Sequence, residues 1–102
     1  MDAQKWQKLT GAQQMANIGS ELNRAFSWRQ RGDKKNEEAA VWRVLELIDL
    51  TLADEKWKGR TKELRRLREV CCDRFFDKNE YNIKPEVLED YFLPFALKVR
   101  RN

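Results

Sequence analysis

A chain of 102 residues, 41% hydrophobic and 11% aromatic, carries enough apolar volume for one core and is one domain by size. Charged residues reach 37%, which together with four Trp, five Phe and two Tyr argues against disorder and for helices with one apolar stripe and a solvated back. The net charge of +4, from 21 basic and 17 acidic residues, permits an acidic partner without demanding one, and the absence of His removes the usual general base near neutral pH and the commonest metal ligand.

In chain order, Met1 to Thr10 reads as a short helix or an arm, anchored only by Trp6 and Leu9. Thr10 is placed to cap a helix from about Ala12 to Arg31, whose stripe is Met15, Ile18, Leu22, Ala25 and Phe26, with Trp28 off its centre. Arg29 and Arg31 suit the negative end of that helix, and Gly32 is its natural stop. Asp33 can cap the next helix, from about Lys34 to Ala53. Its stripe is Val41, Val44, Leu45, Ile48 and Leu52, widened by Trp42, Leu47 and Leu50. A helix apolar on more than one side sits at the centre of a bundle or at an interface.

Asp54 to Gly59 is a polar connection that Trp57 can pack down. Thr61 is the expected cap of a third long helix, from about Lys62 to Phe76, with Leu64, Leu67, Cys71 and Phe75 as its stripe. A turn at Asp77 to Asn82 follows. Pro85 suits the first turn of the last helix, to about Val99, and Pro94 predicts a kink or a break within it, because proline cannot donate to the carbonyl of Asp90. The fold class is therefore all-α: a four-helix, mostly antiparallel bundle with a short N-terminal arm and a Pro-kinked last helix.

Cys71 and Cys72 are adjacent, a spacing that very rarely forms a bridge, and are read as reduced residues of a reducing compartment. Met1 to Thr10 lacks the apolar core of a signal peptide, and no apolar run approaches the ~20 residues that span a bilayer. The expected setting is cytoplasmic, with no membrane partner.

Three groups of residues are candidates for function. Lys58, Lys62, Arg65 and Arg66 form a candidate nucleic-acid face, with Trp57 nearby to stack on a base; Glu63, Glu69 and Asp73 dilute its charge. Glu21, Arg24, Glu46, Asp49, Arg68 and Asp73 flank the apolar stripes and are candidates for an interhelical polar network. Carboxylates in such a network can do acid–base work without His, but no spacing here specifies one reaction. Trp28, Trp42, Leu47 and Leu50 are the candidate interaction surface, since aromatic residues in excess of a small core's needs are enriched where proteins meet. The vicinal thiols have no second Cys pair and no His with which to build a zinc site. A di-metal carboxylate bundle needs Glu-x-x-His pairs, so no metal or other cofactor is expected. Gly11, Gly19, Gly32 and Gly59 make no phosphate-cradling loop, and no Ser, Thr or Cys has a His base.

The segments Asn17-Ile18-Gly19-Ser20-Glu21-Leu22, Leu45 to Thr51, Arg68 to Asp73 and Tyr91-Phe92-Leu93-Pro94-Phe95-Ala96 resemble a family of short, uncharacterised prokaryotic all-helical proteins. That likeness covers the chain from about Asn17 onward and implies a helical bundle. More loosely, the layout is similar to HEPN-type bundles, which often act beside a nucleotidyltransferase or as RNases. HEPN nucleases carry an Arg followed some residues later by His. This chain departs at that His, so the resemblance implies a partner-binding role without RNase activity. The sequence therefore points to a non-enzymatic interaction module that self-associates or binds a protein partner. The alternative is a nucleic-acid-binding protein using the Lys58 to Arg68 face.

Overall fold

The computed structural model describes residues 2–76 and 82–101. Among them the chain forms five α-helices: α1 (Ala3–Gln7), α2 (Gly11–Gln30), α3 (Lys34–Leu52), α4 (Thr61–Phe76) and α5 (Pro85–Arg101), with one 3-10 turn at Glu55–Trp57. The expected turn at Asp77 to Asn82 falls outside the described residues except for Asn82.

Local chemistry fixes the helix ends. Thr10 and Gln13 form a reciprocal capping box: the Gln13 backbone N–H donates to Thr10 Oγ1 at 3.1 Å, and the Thr10 N–H donates to Gln13 Oε1 at 2.8 Å. α2 ends in a Schellman turn. Gly32 takes φ +73°, a left-handed conformation that glycine adopts without a Cβ penalty. There the Asp33 N–H reaches the Trp28 carbonyl and the Gly32 N–H reaches that of Arg29. Asp33 then caps α3 by accepting from the Asn36 backbone N–H and from Asn36 Nδ2. These hydrogen bonds, backbone first, hold the Asp33 carboxyl below its ordinary value. Thr61 is the first residue of α4 and not its cap.

Cross-helix contacts give the directions. Arg43 meets Glu21 and Glu37 meets Arg29, so α2 and α3 form an antiparallel hairpin. Arg68 meets Asp49 and Phe76 meets Trp42, so α4 runs back along α3. Phe92 lies on Gly19, and Val99 lies near Gln13 and Ala16, so α5 runs antiparallel to α2. The long helices thus pack in the order α5, α2, α3, α4. At Gly19 the approach is so close that an added Cβ would lie 2.8 Å from Phe92 Cβ. Bare backbone at this position lets α5 seat against α2.

Three expectations are narrowed or corrected here. The N-terminal segment, read as a short helix or an arm, is a docked helix: α1 packs on α3, and Trp6 is fully buried. Leu47, expected on an interaction surface, is buried on the side of α3 that α1 approaches, and Leu50 and Trp28 are half-buried against the core. α3 is apolar on several sides because it touches α2, α4 and α1. Of the kink or break expected at Pro94, the break is absent: α5 continues through it. Asp90 and Pro94 are both exposed, so water can serve the carbonyl that proline leaves without a donor.

Candidate interaction surface

A closed polar core holds the N-terminal end of the bundle. Gln14 sits on α2 in line with Ile18, Leu22 and Ala25, and is as buried as they are. Its Nε2 donates to the Trp6 carbonyl at 3.0 Å and to Asp54 Oδ2 at 2.8 Å, and its Oε1 accepts from Trp57 Nε1–H at 2.7 Å. Trp6 Nε1–H donates to Thr51 Oγ1 at 3.0 Å, and the Thr51 hydroxyl donates to the Leu47 carbonyl at 2.7 Å. Lys56 Nζ closes the edge, donating to Asp54 Oδ2 and to the Gln7 carbonyl. Burial works against the charged form of Asp54, but the hydrogen bonds from Lys56 and Gln14 outweigh it and hold its carboxyl below the ordinary 3.8. Each side chain in this set has its partners within the chain. It is a structural joint, and the sequence reading passed over Gln14, Thr51 and Asp54. The available signal was a polar residue falling in register with an apolar stripe.

That joint also corrects the role expected of Trp57. Its indole is buried, its N–H is engaged by Gln14, and the Arg60 guanidinium lies 4.3 Å from its ring centroid. It has no free face for a base. Lys62, Arg65 and Arg66 are exposed on α4, but Lys58 stands before the helix, beyond the 3-10 turn and next to Gly59 with φ +86°. The basic face is therefore three residues of α4, with exposed Glu69 one turn further along the same face.

The expected interhelical network is two separate clusters. Asp49 and Arg68 pair in a bidentate bridge between α3 and α4, Nε to Oδ1 at 2.8 Å and Nη2 to Oδ2 at 3.2 Å. Arg68 Nη1 also approaches Cys72 Sγ at 3.9 Å. Elsewhere, Glu21 receives Arg24 at 3.1 Å and Arg43 at 3.7 Å, a contact the sequence reading did not anticipate for Arg43. These three line a cleft of 540 Å³ between α2 and α3 with Glu46, Asn17 and Ser20, over a floor of Trp6 and Leu47. Asp73, on α4, is buried. The cleft interleaves two arginines with two glutamates, and its one hydroxyl has no His to activate it. Among the described residues no group of Cys, Asp and Glu is placed to hold a metal ion, and no helix is long and apolar enough to cross a membrane. Both cysteines are free, and burial pushes the Cys71 thiol up to about 12.

Apolar surface is open at several other places. α4 and α5 leave a groove of 240 Å³ between them, lined by Leu67, Val70, Ile83, Val87 and Leu88. Tyr91 spans it, its hydroxyl donating to Glu63; burial first, and then that carboxylate, hold the phenol above its ordinary value. At the far end of α4, Trp42 is 62% exposed and Phe76 44% exposed, with ring centroids 5.4 Å apart. On α5, Leu93 is 52% and Leu97 43% exposed. Of the four residues expected to form an interaction surface, Trp42 is exposed, Trp28 and Leu50 are half-buried and Leu47 is buried; Phe76, Val87, Leu93 and Leu97 are also exposed. No family model, curated protein or solved structure matches this chain.

Proposed function

We propose that this chain is a non-enzymatic, cytoplasmic interaction module whose exposed apolar and aromatic side chains hold a second protein chain. The observation that carries the reading is the Trp42–Phe76 pair, two large rings packed at a tilt against each other and left in water outside the buried core. The likeness to partner-binding HEPN-type bundles that lack the nuclease His supports the same reading. The test is capture from nuclease-treated lysate by the wild-type chain and by Trp42→Ser. Proteins retained by the wild type and lost with the variant support the module. A retained set that ignores the substitution, or that disappears with nuclease, overturns it.

A second reading rests on Lys62, Arg65 and Arg66, three exposed cations on one helix. As a nucleic-acid face it requires binding that weakens steeply with salt. Reversal of Lys62 and Arg66 to Glu abolishes that binding if the reading holds, and unchanged affinity removes it.

A further inference from the structure

We infer that α5 pairs antiparallel with the α5 of a second copy of this chain, through its outer face. The inference goes beyond the interaction-module reading: it adds a second contact face, on α5 and apart from Trp42, and names what covers it. α5 carries two lines of residues at alternating spacings of four and three. The inner line, Leu88, Phe92, Phe95 and Val99, is buried or half-buried against the bundle. The outer line, Glu86, Asp90, Leu93, Leu97 and Arg100, is exposed at every position. At about 100° per residue these five fall within about 40° of a common line, which is turned about 150° from the inner one. The spacing is that of a helix–helix seam, and it is already present on a formed, docked helix.

Charge along the seam selects the occupant. Acidic residues hold its N-terminal end, two leucines its middle and Arg100 its C-terminal end. A two-fold antiparallel pairing sets Leu93 of each copy against Leu97 of the other and Asp90 against Arg100, so one pattern complements itself. A parallel pairing sets Asp90 on Asp90 and Arg100 on Arg100, and like charges oppose it. An anionic lipid surface is opposed by Glu86 and Asp90. With two leucines per copy the contact is small, and dissociation in the range of about 10–100 μM is expected.

Sedimentation velocity on the full chain from about 5 to 500 μM tests this, the span bracketing that range. A reversible monomer–dimer equilibrium is expected. Asp90→Arg alone and Arg100→Asp alone each weaken it about tenfold, because each turns two attractive contacts repulsive. An equimolar mixture of the two variants recovers wild-type affinity, since the mixed pair sets opposite charges at both ends of an antiparallel seam. Leu93→Ser abolishes the dimer. All three positions are exposed, and a melting temperature equal to that of the wild type in dilute solution, where both are monomeric, verifies that each variant is folded. A wild-type chain that stays monomeric overturns the inference, as does a dimer indifferent to both charge variants or a mixture no tighter than its components. If the wild type is monomeric while Trp42-dependent capture persists, only the second copy is excluded as partner and the module reading stands. Loss of both removes both.

Discussion

Two parts of this bundle meet their surroundings in opposite ways. At the N-terminal end, a five-residue helix and a 3-10 turn are locked onto α2 and α3 by Trp6, Trp57, Gln14, Thr51 and Asp54, and each indole N–H and side-chain amide there has a partner inside the chain. On α4 and α5, a groove separates the helices and two leucines of α5 face water, and an aromatic pair lies open between α3 and α4. A side chain whose hydrogen bonds are all satisfied internally has nothing left to offer a partner, whereas exposed leucines and rings gain by being covered. The closed end holds the fold, and the open side is where association is expected.

The largest expected effect falls on the closed end. Gln14→Leu leaves the Trp57 N–H, the Trp6 carbonyl and Asp54 each short of a partner, and should lower unfolding stability by about 2–4 kcal/mol. A urea midpoint measures it, and a loss under about 0.5 kcal/mol would mean that the joint is not tight. A smaller effect marks where the open side is anchored. Gly19→Ala pushes a methyl into Phe92 and should cost about 1–3 kcal/mol by the same measurement. Indifference to it would mean that α5 is free to move away from α2.

Acid separates the two regions further. The Asp54 carboxyl is held below 3.8, so its stabilising contribution is full above that pH and is lost as pH falls through the lower folded value. Asp54→Asn should therefore be less stable than wild type near pH 7 and should lose less on acidification from about pH 5 to pH 2. Urea midpoints at both pH values check this, and parallel decline of the two proteins would contradict it.

What the sequence made legible was local. The caps at Thr10 and Asp33 and the stop at Gly32 could be placed because each depends on residues within one helical turn. The stripes of α2, α3 and α4 followed from spacing. What stayed hidden depended on distant partners. Trp6 lies in a helix too short for a period to register, so the cover it gives α3 was invisible, and Leu47 was taken as surface. Gln14 and Thr51 occupy core positions but carry polar side chains, and their partners lie 40 or more residues away. Asp49 and Arg68 were legible as stripe-edge charges, yet their pairing, and the separate grouping of Glu21 with Arg24 and Arg43, follows from which helices became neighbours. The outer line of α5 holds only two leucines among charged residues, too few for its period to stand out in the sequence.

The most direct test of the contrast is the urea midpoint of the wild-type chain and of Leu93→Ser, each followed from ~1 to 500 μM protein, since association of the native state raises apparent stability with concentration. The account predicts a wild-type midpoint that rises with concentration, and a variant midpoint that stays flat at the wild type's dilute value. A variant already less stable at ~1 μM would place Leu93 in the core, and a wild-type midpoint independent of concentration would contradict association through α5.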